Sequence, residues 1–248
     1  MVIAAHELRA TPRGEPVLAV HAGLLGYADA WDRQRQLAER RARDGIADVL
    51  LTLEHPKVFT AGKSADLSHL LWDEADRAAR GIEFYEVDRG GDVTYHGPGQ
   101  LVGYPILRLS SIRGVVDYVR ALERVCVAVA ADFGIDAAPA DGFPGVWVGD
   151  EKLVAIGARV SSRGVTSHGF AFNVTTDLTD FDGIVPCGIE GKGVCSLESL
   201  GVTTTVADVI ARLRVLFGEE FGCEVREDAS VLRPDPEVDE PALTRSGT

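Results

Sequence analysis

The chain has 248 residues, 46% of them hydrophobic and 25% charged, enough for a sizeable core, and its net charge is -13. Such a balance argues against nonspecific nucleic-acid binding, which depends on neutralising phosphates. No apolar run approaches the ~18 residues needed to cross a membrane, and the first residues lack the charged start and apolar stretch of a secretion signal, so a cytoplasmic location is expected.

In chain order, Tyr27, Ala30, Trp31, Leu37 and Ala38 keep a helical period that Gly45 should close. Val49 to Leu53 reads as a short buried strand. The stretch RGGDVTYHGPGQ, Arg89 to Gln100, reads as two glycine-rich turns around a short strand. Val115 to Phe133 is the clearest helix, with Val115, Tyr118, Val119, Leu122, Val125, Cys126 and Val129 on one face and Gly134 as its stop. GVWVGDEKLVAIG predicts a hairpin turning at Gly149 and Asp150. In GFAFNV, Phe170, Phe172 and Val174 alternate with Ala171 and Asn173, as a half-buried strand requires. Thr205 should cap a last helix from Val206 to Phe221, with Asp208 at its third position and Gly222 beyond its end.

Hairpins dominate the middle, and regular strand–helix–strand alternation is missing. The pattern predicts one α/β domain of the α+β type, with a mixed or largely antiparallel sheet and flanking helices. The domain is expected over residues 1–225. Residues 226–248, polar, acidic and proline-containing, are expected to form a disordered tail.

Several side chains could carry chemistry. The glycines of Arg89–Gln100 allow close approach of backbone to a ligand, or they simply make two tight hairpin turns. The loop matches neither the phosphate-binding nor the dinucleotide-binding glycine pattern. His55, His96 and His168 have no metal-ligand spacing, and the cysteines offer no partner pair, so no metal is expected. Of the four cysteines, Cys126 falls on an apolar helix face, while Cys187 sits at a bend between Pro186 and Gly188. Cys195 is close enough in sequence to compete with it, and Cys223 has no comparable setting. A nucleophilic thiol needs a base or a positive neighbour. Lys152 is a candidate, against the ordinary reading of an exposed turn lysine.

Five segments taken together carry a resemblance. LEHPKVFTAGK, RGGDVTYHGPGQLVGYPI, KLVAIGARV, SHGFAFNV and PCGI, in this order, resemble the lipoyl(octanoyl) transferase family over about residues 15–222. RVSSRGVTSHG carries one residue more than the family form, which should lengthen a hairpin turn at Ser161 and Ser162. The resemblance implies a single domain of the biotin/lipoyl protein ligase catalytic type with a cysteine–lysine dyad, Cys187 and Lys152. It implies substrate contacts at Arg89, Gly90, Gly91, Asp92, Val93, Thr94, Tyr95 and His96, at Ala155, Ile156 and Gly157, and at Gly169, Phe170 and Ala171. His168 adjoins the last of these.

The implied reaction moves an octanoyl group from octanoylated acyl carrier protein, through a cysteine thioester, to a lysine of lipoyl domains or of the glycine-cleavage H protein. It would need no cofactor. Two other readings stand beside it: an ATP-dependent lipoate or biotin ligase on the same fold, and an idle module that binds acylated carrier protein. An acidic carrier would need a local basic patch, from Arg33, Arg35, Arg40, Arg41 and Arg43 or from Lys57 and Lys63, although the helix arginines read more simply as a solvated face.

Overall fold

The computed structural model describes residues 15–43, 45–109, 114–185 and 192–233. Its larger sheet has nine strands. Their order is β12 (Val225–Glu227), β1 (Val17–Leu24), β2 (Val49–Glu54), β6 (Gln100–Ile106), β10 (Thr166–Asn173), β9 (Glu151–Val160), β8 (Phe143–Val148) and β7 (Ala138–Ala140), with β11 (Gly193–Val194) also on β9. The sheet is mixed: β12, β1 and β2 run parallel, and the path from β2 to β7 is antiparallel. A smaller sheet holds β4 (Glu83–Glu86), β3 (Val58–Ala61) and β5 (Val93–His96).

Alternation along the central strands builds two cores. Leu50, Leu101, Phe170 and Phe172 face α3 (Val115–Asp132) and α4 (Val206–Phe221). Val49, Leu51, Val102, Tyr104 and Ala171 pack instead with Ala30 and Leu37 of α1 (Tyr27–Ala42). Period-two side chains thus place helices on both faces. The helix ends follow their local chemistry. Thr205 and Asp208 form a reciprocal capping box on α4, and Gly222 takes the left-handed conformation at its end. A short helix, α2 (Glu74–Ala79), is capped by Asp73.

Two expectations change. Arg226 and Glu227 lie in β12, paired with β1, and a 3-10 turn follows at Ala229–Leu232. Residues 226 and 227 therefore lie on the sheet and 228–232 continue as a turn against β1 rather than as part of a tail, and residues 234–248 lie outside the described residues. The arginines of α1 divide: Arg35 and Arg43 stay on a solvated face, whereas Arg33 donates to the Leu232 carbonyl and Arg40 to that of Val231. Arg41 is buried against Asp48, and Arg35 and Arg43 pair with Asp32 and Glu39 on their own helix. The predicted hairpin at Gly149 and Asp150, the strand at Phe170–Asn173 and the helices α1, α3 and α4 form as expected, the first helix ending at Ala42 with Arg43 as its cap.

The two sheets meet at the turn between β4 and β5. Gly90 donates its N–H to the Ala158 carbonyl of β9 at 3.3 Å. A Cβ on Gly157 would lie 2.9 Å from the Gly90 carbonyl oxygen, and one on Gly62 would lie 2.2 Å from that of Gly91. Both clashes are with backbone, which cannot swing aside. Gly62→Ala should therefore cost about 1–3 kcal/mol, read from the urea midpoint. Gly90→Ala, whose nearest contact would be 3.3 Å away, should cost less. A Gly62→Ala midpoint equal to wild type would show that the turn is not packed on the end of β3, and a Gly157→Ala midpoint equal to wild type would show that the sheets are not pinned here.

Candidate active site

Pinning the sheets together leaves a cavity of about 470 Å³ between them. Arg89, Gly90, Gly91, Asp92, Val93, Thr94 and His96 line it from the β4–β5 turn and β5. Lys152, Ala155, Ile156 and Gly157 line it from β9, and His168, Gly169, Phe170 and Ala171 from β10. Tyr95 points elsewhere: its hydroxyl donates to Asp180, which also pairs with Lys57. Cys187 lies outside the described residues. The glycine-rich stretch is not one hairpin, because β5 pairs with β3 while β6 belongs to the larger sheet.

Lys152 is only 5% exposed, which removes the reading of a solvated turn lysine. A register shift explains its direction. Val146 faces Val154 but Trp147 faces Lys152, so Leu153 is an extra residue on β9. Leu153 and Val154, consecutive in sequence, both enter the core beneath α3. The bulge breaks the alternation that would otherwise put Lys152 in the row of Val154. The Lys152 ammonium nitrogen sits 4.5 Å from the centre of the Trp147 ring and 3.5 Å from the Pro144 carbonyl oxygen. Glu123, buried on α3, accepts from the Gly145 N–H at 3.1 Å and so holds that stretch of β8 in place.

Arg89 is buried and braces β3. Its guanidinium donates to the Thr60 carbonyl at 2.6 Å and to the Thr60 hydroxyl at 2.9 Å. His168 has φ 55°, the one non-glycine residue with positive φ among those described. The β6–β10 ladder stops at Gly103 and Phe170, and the His168 N–H is taken by Gln34 of α1 at 2.8 Å. The His168 Nε2 donates to Asp88 at 2.9 Å, which with Arg159 holds the Asp88 carboxyl down at about 2. Burial outweighs that carboxylate and lowers the His168 pKa, so the ring is neutral near pH 7.

Several groups at the site carry no motif signal. Tyr27, Val102, Tyr104, Val119, Phe143 and Pro144 line the cavity from distant segments. His55, behind them, donates from Nδ1 to the Leu25 carbonyl, so its Nε2 accepts from the Tyr104 hydroxyl at 2.7 Å. Among the described residues no cluster of His, Cys, Asp and Glu is arranged to hold a metal, and no helix is long and apolar enough to cross a membrane. Cys126, Cys195 and Cys223 are free thiols. Burial pushes Cys195 up to about 12 and Cys223 to about 11, and raises Cys126 further.

The model for the lipoyl protein ligase A/B catalytic domain matches residues 26–218. An octanoyltransferase of Acidobacterium capsulatum is 47% identical over 83% of this chain and 90% of its own length. One of Salinispora tropica is 50% identical over 77% of this chain and 89% of its own. Among solved structures, lipoate-protein ligase A bound with ATP superposes with a TM-score of 0.69 at 18% identity, covering 86% of this chain and 87% of that one. A bipartite lipoate protein ligase from Thermoplasma acidophilum gives 0.67 at 19%, over 86% of each. At these identities the structures show the fold alone.

Burial lowers the His55 pKa to about 4. Below pH 6.5 the unfolded chain takes up a proton there that the folded chain refuses. Stability should thus fall as pH drops from 6.5 towards 4, by on the order of 3 kcal/mol from this ring. His55→Gln keeps a donor and an acceptor without titrating. Urea midpoints against pH should show a shallower acid limb in the variant, and equal limbs would exclude His55 as the source.

Proposed function

The chain belongs to the lipoyl protein ligase A/B catalytic-domain family and its activity is octanoyl transfer in lipoate biosynthesis; we propose that it works in two steps through a thioester on Cys187. The observation that carries this reading is Lys152, a buried amine on the wall of a cavity that also offers apolar side chains such as Val102, Phe170 and Ala171.

In the first step Lys152 helps form the Cys187 thiolate, by taking its proton or by its positive charge. The thiolate attacks the carbonyl carbon of an octanoyl thioester carried by acyl carrier protein. A new C–S bond forms, the old one breaks, and the leaving thiolate takes up a proton. Backbone N–H groups offset the negative charge on the oxygen. In the second step a lysine amine of a lipoyl domain, or of the glycine-cleavage H protein, attacks the acyl-enzyme. A C–N bond forms, the C–S bond to Cys187 breaks, and the amine proton passes to Lys152. The apolar wall supplied by Val102, Phe170 and Ala171 suits an acyl chain, whose burial contributes roughly 0.8 kcal/mol per methylene.

The three described cysteines support the assignment from the other side. The Cys195 thiol donates to the Glu151 carbonyl and is held protonated by burial, so it is a poor nucleophile. A thioester donor is already activated, and the reaction needs no nucleotide. The ligase reading draws on the shared fold, since the superposed ligase holds ATP. The binding-module reading would leave Lys152 without a chemical purpose.

Intact-protein mass after mixing with octanoyl carrier protein, without ATP, tests the first step. Wild type and Cys195→Ser should gain one octanoyl group, and Cys187→Ser should gain none. An adduct that survives Cys187→Ser and vanishes in Cys195→Ser would move the nucleophile. A strict need for Mg-ATP would favour the ligase.

Lys152→Ala should slow iodoacetamide alkylation of Cys187 steeply at pH 7, with part of the rate recovered at higher pH. Lys152→Arg keeps a positive charge without a base, so it should retain the charge-driven part alone. Identical alkylation profiles against pH in all three proteins would remove Lys152 from thiol activation.

A further inference from the structure

A chain of hydrogen bonds fixes the state of one cavity group. The Cys195 carbonyl can only accept, and it takes a hydrogen bond from Asn173 Nδ2 at 2.9 Å. Asn173 Oδ1 is therefore free to accept from Gln100 Nε2, also at 2.9 Å. The same Gln100 nitrogen donates to the Tyr95 carbonyl at 3.1 Å. Two acceptor-only partners thus set the Gln100 amide, and its oxygen is the atom 2.7 Å from His96 Nδ1. An amide oxygen requires a donor, so Nδ1 carries the ring proton.

That leaves Nε2 as an acceptor. His96 is 7% exposed and lines the cavity, and among the described residues Nε2 has no hydrogen-bond partner. The titratable groups around the ring are Tyr27 of α1 at 6.2 Å, His55 at 5.5 Å, Arg89 and His168. All are neutral or positive at neutral pH. Burial first, then His55, with Arg89 and His168, hold the His96 pKa well below its usual value against the Gln100 hydrogen bond. A ring so placed is a poor base and a good acceptor. Nε2 faces the cavity, so a donor on a ligand held there can reach it.

We propose that His96 Nε2 accepts a hydrogen bond from an N–H donor of the substrates, and that the Gln100–Asn173 pair holds the ring in the tautomer this requires. A carboxylate or other anion would meet a lone pair there and be rejected. Under the two-step reading, on which this rests, N–H donors come from two sources. One is an amide of the carrier's thiol-bearing arm, and the other is the lysine amine of the acceptor.

Two measurements test it. Long-range proton–nitrogen correlation spectra of the free, labelled enzyme should show His96 as the Nδ1–H tautomer throughout pH 5.5–8. An Nε2–H tautomer would overturn the proposal whatever the reaction. The second measurement times each half-reaction in wild type, His96→Phe and Gln100→Glu. Phe removes the acceptor. Glu favours a doubly protonated ring, which loses the acceptor while keeping the imidazole, and so covers a misfolded Phe variant. Donors are octanoyl pantetheine, which has amides, and octanoyl ethanethiol, which has none.

Both variants should lose about tenfold in one half-reaction. Loss confined to the pantetheine donor places the bond on the carrier arm, and loss confined to transfer onto a lipoyl domain places it on the acceptor amine. Rates within twofold of an active wild type in both half-reactions would overturn the proposal alone. An inactive wild type would overturn the two-step reading beneath it.

Discussion

Backbone packed directly on backbone is the constraint from which the rest follows. The Arg89–Gly91 turn is held between the end of β3 and the face of β9 at distances that admit no side chain. Arg89 then reaches back to Thr60 and locks the turn to β3 with three hydrogen bonds. The small sheet can therefore stand over the large one at a fixed separation, and the space between them becomes the cavity. Glycine here is chosen for its missing Cβ as well as for its torsional freedom.

A second device aims the chemistry. The extra residue at Leu153 breaks the alternation of β9 and turns Lys152 into the cavity rather than into the core. The lysine stem then lies against Gly145, where again a Cβ would meet the Val154 carbonyl at 2.5 Å. Glu123 secures the same strand from α3. Trp147 offers its ring to the Lys152 nitrogen at 4.5 Å.

Local chemistry made much of this legible. Periodicity marked α1, α3 and α4, the Thr205–Asp208 pair marked a helix start, and alternation at Phe170–Asn173 marked a strand. These signals act over a few residues. Long-range consequences were not legible in the same way. The split of β5 and β6 between two sheets depends on β3, some thirty residues earlier. The burial of Lys152 depends on a bulge that no local composition announces. The positive φ of His168 is held by Gln34 and Asp88, both remote in sequence. The placement of residues 226–232 comes from β1 and from arginines of α1, against a composition that reads as tail. Cys187 lies outside the described residues, and its assignment rests on its Pro-Cys-Gly setting and its place among the other motifs.

The parallel pairing of β1 with β12 has a consequence during synthesis. Val17 must find Val225, and so one side of the first strand waits for the last described strand. While the chain is being made, β1 can pair with β2 but its other edge carries unpaired N–H and C=O groups. Such an edge is a template for a neighbouring nascent chain. Closing it requires a loop spanning nearly the whole fold, an entropic cost that grows slowly with length but delays the contact. The nascent protein therefore has a window, ending only when α4 and β12 emerge, in which a chaperone and an aggregate compete for the same strand.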